Sequence, residues 1–466
     1  MKNLVDRYVI GVGTLAGLIA VLVVVGLGMV LARAGEDPEP GRGGPVPAPA
    51  PAATSPSPDA AIDTPAESPD VPVAGTGTAP FAFGTLETQA ERAATESARG
   101  IKVAMIELSW SAYEPAEDRF DEAYARRFRD RLQALRGAGM RVTLGLGLHY
   151  TPGWIFQYPD SRFVDQRGVR SSSVNLIFNQ RLRGKAERYL ARIDRDLGLR
   201  NFWAVRLNSG AHPEVLYPPG GSYWAFDRNA QNGPDLPPTM AANPRPGWKP
   251  GDRSIPARDV QRWADWYVRG LDDVVGWQMR FLTALGFTGY FQILTPGAGT
   301  KPRAYARDVA AYLPDGVTGV GAVWHKFYAN LPQKHNVVAY VTSMADEPGR
   351  PNLCTPGDRA VPLADPRVDN WPATRWLTRV AREYGLLLNG ENPGWNIPSR
   401  LNAHYTDTSD AGMMASTVHE MISCGFQGMY WAHEAQLWDG TVSFDRYADW
   451  ISKTNGGHNP APPGPM

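Results

Sequence analysis

Four glutamates and a group of aromatic and amide side chains recur just past short apolar runs. Glu107 closes the run IKVAMIE and is followed by LSWSAYEP, which carries Trp110. The run ending at Leu148 continues into HYTPGW, with His149 and Trp154. Glu214 lies in NSGAHPEVLYP with Asn208, His212 and Tyr217, and Trp224 lies a few residues beyond. Glu391 lies in NGENPGW with Asn392 and Trp395, and Glu434 lies in YWAHEAQLW with Trp431. Flat aromatic faces match the C–H faces of sugar rings, while Asn, His and carboxylates hydrogen-bond hydroxyl groups. Breaking a glycosidic bond requires two carboxyl groups, one to protonate the leaving oxygen and one to attack or to activate water. Glu214 and Glu391 are the candidates for that catalytic pair. The remaining residues named above, Glu107 and Glu434 included, are candidates for substrate binding. The histidines lack metal-ligand spacing: no H-E-x-x-H occurs, and His419–Glu420 has no second His. Neither a metal nor another cofactor is expected.

These residues need elements to hold them at one place. Apolar runs at 81–84, 101–107, 140–148, 202–207, 289–294, 317–323, 336–342, 385–388 and 426–431 read as strands. Between the second and third, Phe120, Tyr124, Phe128, Leu132 and Leu135 keep helical spacing, and Gly137 and Gly139 end the helix. Alternating strands and amphipathic stretches predict an α/β fold. Eight strand–helix units in one (β/α)8 TIM barrel fit better than two nucleotide-binding halves, since no G-x-G-x-x-G opens a helix after an early strand. In such a barrel chemistry sits beyond the C-terminal strand ends, where the glutamates lie.

The barrel takes residues 79–454 of the 466. Residues 1–34 read as a cytoplasmic stub and one transmembrane helix. The stretch 8–31 is uncharged and long enough to cross a bilayer, and Lys2 and Arg7 precede it. A cleaved signal peptide is the competing reading, with Ala32 and Ala34 as an A-x-A-like site. Either places the body outside the cytoplasm, the first as a single-pass protein held at the cell membrane by its N-terminal helix. Residues 35–78 form a disordered Pro/Ala/Ser-rich stalk, and 455–466 a disordered tail. With 47 basic and 47 acidic residues the chain has no net charge, which argues against a nucleic-acid partner. Without the positively flanked anchor the body is slightly acidic, which suits a neutral carbohydrate. Two cysteines exclude a disulfide-built scaffold. Cys354 and Cys424 are either bonded, as an oxidising compartment permits, or two separate buried thiols.

Several of these segments are familiar. W-S-A-Y-E-P-A-E-D-R-F-D at 110–121 resembles the W-S-x-x-E-P-x-x-G-x-F-D signature of glycoside hydrolase family 42, the β-galactosidase type. GAGMRVTLGLGLHYTPGWI is similar to that family's next strand and P-x-W loop. GENPGWN at 390–396 is similar to its E-x-x-P-G-x-N segment, which implies Glu391 as nucleophile. The family ends its fourth strand with Asn-Glu, the Glu being the acid/base. Here Ser209 follows Asn208, and A-H-P-E-V-L-Y-P looks more like the A-G-E-L-R-Y-P loop of the family 14 β-amylases, which implies Glu214 as general acid. The resemblance implies a (β/α)8 barrel hydrolysing an oligo- or polysaccharide; the family 42 likeness favours retention of configuration, and the family 14-like loop points the other way, to inversion. The family's Cys metal cluster and C-terminal β-domains are missing. The alternative from another class is a catalytically inactive glycan-binding barrel serving as a cell-surface sensor or scaffold.

Overall fold

The computed structural model describes residues 81–455 except 298, 332–334 and 348–352. The expected anchor, stalk and tail lie outside the described residues. Among those described, no helix is long and apolar enough to cross a membrane.

Eight parallel strands close into a barrel. In chain order the strands are β1 (Ala82–Leu86), β2 (Ile101–Glu107), β3 (Arg141–Gly145), a short antiparallel pair β4 (Arg162–Val164) and β5 (Arg170–Val174), then β6 (Ala204–Leu207), β7 (Tyr290–Thr295), β8 (Val337–Val341), β9 (Leu387–Glu391) and β10 (Gly428–Trp431). The pair β4–β5 stands outside the barrel, whose order is β1-β10-β9-β8-β7-β6-β3-β2. The ring shuts where Ala82 pairs with Gly428 and Thr85 with Trp431.

Side chains alternate along each strand, so one set faces the helices and the other fills the barrel. Ala104 and Ile106 of β2, Val205 and Leu207 of β6, Val337, Ala339 and Val341 of β8 and Met429 and Trp431 of β10 join the large core under the helices. Val103, Met105, Ala204, Leu294, Tyr340 and Tyr430 form a separate inner cluster. The same alternation puts Glu107, Arg206 and Glu391 on the inner side. Trp431, one residue from Tyr430, falls on the outer side.

The helix Glu122–Gly137 follows the expected pattern: Asp121 caps Ala123 and Tyr124, and Phe128, Leu132 and Leu135 are buried. Two differences from the expected strands stand out. Residues 317–323 are not a strand: Val317–Val320 is a 3-10 turn between Gly316 and the left-handed Gly321. A Cβ on Gly319 would stand 2.5 Å from the Ser222 carbonyl, so this apolar stretch is a tight crossing under the loop after β6. Strand β9 runs on to Glu391 itself instead of stopping at Leu388.

Residues 208–256 contain no helix or strand and lead to the long helix Ala257–Ala284. Their aromatics dock on that helix. Tyr217 stacks on Tyr267 with ring centroids 4.0 Å apart and donates its hydroxyl to the Tyr267 carbonyl. The Trp224 amide donates to the Tyr267 hydroxyl at 3.0 Å. Cys354 and Cys424 are bonded, joining the loop after β8 to the end of the helix Met413–Cys424.

Candidate active site

The C-terminal mouth of the barrel gathers carboxylates from several strands around one buried guanidinium. Arg206 projects inward from β6 and reaches Oε2 of Glu391, at the end of β9, at 3.1 Å. The Tyr340 hydroxyl, from β8, donates to the same oxygen at 2.6 Å. Two donors on one oxygen stabilise negative charge there. The guanidinium also lies 4.9 Å from the Tyr340 ring centre, which fixes the plane of both.

Glu214 approaches from above. After β6 the chain makes a compact turn in which Asn208 Oδ1 accepts the Gly210 amide and the Glu214 carbonyl accepts the Ser209 and Leu216 amides. The Val215 amide then bonds the Leu294 carbonyl, so the loop folds back over β7. Glu214 thereby meets Thr342, just past β8, whose hydroxyl donates to Oε1. Burial pushes the Glu214 carboxyl up to about 7; the Thr342 bond and Arg206 oppose the rise and the Glu391 charge adds to it. His212 Nδ1 lies 3.5 Å from Glu214 Oε2 and accepts the Glu214 amide. Burial pushes His212 down to about 4, so at neutral pH it is an uncharged neighbour, not an ion-pair partner.

Glu107 ends β2 on the far side of the mouth. Its side chain lies over Gly145 of β3, where a Cβ would come within 2.8 Å of it. Burial raises this carboxyl to about 7, offset in part by Arg206 and reinforced by Glu87 and Glu391. His149 Nε2 is 4.0 Å from it and is pushed down to about 3, first by burial. Between β1 and β10, His433 Nδ1 lies 3.5 Å from Glu87 Oε2. Glu87 is lowered, chiefly by His433; burial works against the charged imidazole, but Glu87 and Glu391 outweigh it and raise His433.

The structure thus brings together Glu107, His149, His212, Glu214 and Glu391. The other expected binding residues stand elsewhere or are occupied. Trp110 is fully buried and bonds Glu114; Trp154 packs edge-on against it and donates to the Glu114 carbonyl. Tyr217 and Trp224 belong to the core described above, and Asn208 is spent on its own turn. Asn392 is buried and bridges to residue 432, accepting the Ala432 amide at 3.0 Å. Trp431 lies under the helices against Tyr405 and Tyr447, and Trp395 leans half-buried on Tyr405. Glu434 is buried in a different cluster, accepting from the Gln89 amide and from Arg92. Sequence reasoning passed over Arg206, Tyr340, Thr342 and the Glu87–His433 pair. A signal existed for the first two: in the runs AVRL and VVAYV a single polar residue sits at an inward position of an otherwise apolar strand.

Residues 85–195 match the family model described as beta-galactosidase, glycoside hydrolase family 42. No curated protein matches the chain. Among solved structures, the catalytic domain of the Paenibacillus polymyxa beta-amylase is similar at a TM-score of 0.56 and 14% identity, over 81% of this chain and 100% of that one. The beta-galactosidase of the psychrophilic Marinomonas ef1 is similar at 0.50 and 13%, over 81% of this chain and 59% of that one. The chain therefore spans a whole β-amylase catalytic domain and under two thirds of that β-galactosidase. At these identities the likeness is one of fold, a (β/α)8 barrel shared with these glycoside hydrolases, and the family match covers residues 85–195 alone.

Proposed function

We propose that the chain hydrolyses O-glycosidic bonds of a neutral oligo- or polysaccharide, with Glu214 as general acid and Glu391 as nucleophile in a retaining double displacement. One observation carries the reading: two glutamates at the same barrel mouth have opposite surroundings. Glu391 meets a guanidinium and a phenol that stabilise its charge, whereas burial keeps Glu214 protonated up to about 7. A carboxylate to attack and a carboxylic acid to protonate the leaving oxygen are the two groups the reaction needs. The slight acidity of the body supports a neutral substrate over an anionic one. The expected N-terminal anchor and the Cys354–Cys424 bond support a body held at the cell membrane on its extracytoplasmic side.

Glu214→Gln and Glu391→Gln are each expected to lower turnover by at least about 10²-fold on chromogenic β-galactosides or on gluco- and manno-oligosaccharides. NMR of the first-formed anomer reads retention directly. Unchanged rates in both variants would sink the assignment. Asn208 and Ser209 in place of an Asn-Glu pair favour a second reading, a non-catalytic glycan-binding barrel. That reading expects glycan binding with no turnover by the native protein.

A further inference from the structure

We infer that Tyr150 is a stacking platform for a sugar at the barrel mouth, an inference that rests on the proposed glycan site. Most of the aromatics that the sequence put forward for this role are walled in, and the half-buried Trp154 and Trp395 pack against Trp110 and Tyr405. Trp110 and Trp431 are fully buried, and Tyr217 and Trp224 hold the loop after β6 to its helix. Tyr150, one position past His149, is 45% exposed. Trp438 is the other exposed large aromatic among the described residues, but Phe444 stacks on its ring at 4.3 Å and Arg92 lies 5.3 Å from its centre. The Tyr150 ring has one aromatic neighbour among the described residues, His149, with centroids 4.0 Å apart.

The backbone that carries the ring is held in place. Gly147 turns the chain at φ +61, in a place where a Cβ would overlap the Leu108 carbonyl. The Tyr150 amide then donates to the Gly147 carbonyl at 3.0 Å, and its carbonyl accepts the Ser111 amide at 2.8 Å. The hydroxyl has no protein partner among the described residues, unlike Tyr340 and Tyr430 deeper in the barrel. An apolar face with a free polar tip suits a pyranose, which offers C–H groups on its faces and hydroxyls at its rim.

The place of the ring at the mouth follows from its neighbour. The His149 ring that Tyr150 contacts carries Nε2 at 4.0 Å from Glu107, so Tyr150 stands at the rim beside the carboxyl cluster.

The test compares the native protein with Tyr150→Ala and Tyr150→Phe on short gluco-, galacto- and manno-oligosaccharides, by calorimetric binding and by turnover. Because only main-chain groups of Tyr150 are bonded, both variants are expected to fold as the native chain does. Tyr150→Ala is expected to raise Kd and KM on the order of tenfold, about what one stacked ring contributes, with kcat within about twofold. Tyr150→Phe, which keeps the face and loses the hydroxyl, is expected to stay near native. Equal Kd in native and Tyr150→Ala proteins overturns the platform, as does a Phe variant as weak as the Ala variant. Native binding without turnover defeats the hydrolase reading alone and leaves the effect of Tyr150 measurable. Failure of the native protein to bind any of these glycans overturns both.

Discussion

Glu391 and Glu214 are the same side chain in different surroundings, and the difference lies in their neighbours. Arg206 and Tyr340 converge on one oxygen of Glu391, while Glu214 has one hydroxyl, Thr342, and otherwise a buried setting. The pH dependence follows with a definite sign. A general acid works only while protonated, so kcat/KM is expected to hold below about 7 and to fall by about tenfold per pH unit above it. Thr342 stabilises the ionised form of Glu214, so Thr342→Val is expected to move this alkaline limb upward. A pH–rate profile of both proteins checks it; an alkaline limb in the ordinary carboxylate range, about 4.5, would remove Glu214 from the acid role. The two glutamates were legible in the sequence because each follows an apolar run among polar and aromatic residues. The partners of Glu391 were less so, because Arg206 and Tyr340 come from strands 185 and 51 positions away in the sequence. The tryptophans misled for a related reason. A strand-end position does not say which side of the wall a ring takes, and one step of strand alternation sends Tyr430 inward and Trp431 under the helices.

Among the elements, the short helix Ala93–Ala98 and the short helix Glu434–Trp438 lean on each other through two buried carboxyl groups. Glu96 accepts the Trp438 indole N–H at 2.9 Å and the Thr85 hydroxyl at 3.3 Å. Glu434 accepts from the Gln89 amide and Arg92, with Arg131 also facing it. Burial first, and then the charge of Glu434, raise Glu96 above the ordinary carboxylate value. The folded state therefore holds a proton that the unfolded chain gives up at lower pH. The stability tied to that proton is complete below the unfolded pKa of about 4.5 and is lost as pH rises through the higher folded value. Glu96→Gln carries the same hydrogen-bonding outline without a proton to lose. Its thermal midpoint is expected to change less than the native one between mildly acidic and mildly alkaline buffer. Parallel curves for the two proteins would show that the Glu96 proton does not contribute. Elements of this size were outside what periodicity could reveal: six and five residues show no amphipathic repeat, and the hairpin β4–β5 is too short for one. The run 317–323 failed in the opposite sense, since its valines resemble a strand while its glycines enforce a crossing.

At the scale of the whole body, the barrel closes by pairing its first and last strands, Ala82 with Gly428, and the ends are fastened again where the Phe81 amide bonds Asn455. The alternation of apolar runs and amphipathic helices was enough to predict this architecture, because each βα unit buries its own two faces and the ring leaves no edge. The covalent link was not predictable, because spacing between cysteines says nothing of their separation in space. The fold brings the Cα atoms of Cys354 and Cys424 to 4.9 Å across a sequence separation of 70. Closing a loop of that length restricts the unfolded chain, with an expected stabilisation of about 4 kcal/mol on the chain-entropy account and about 2–4 kcal/mol in typical proteins. The bond ties the loop after β8 to the outer helix Met413–Cys424, whereas the carboxyl cluster is held by strand ends and by Thr342 ahead of that loop. The double variant Cys354→Ser, Cys424→Ser is therefore expected to unfold at lower denaturant while keeping near-native turnover at ambient temperature. Reductant should shift the native protein to the same midpoint and leave the variant unmoved. A loss below about 1 kcal/mol would mean that the packing under this loop, and not the cross-link, holds the barrel's late half in place.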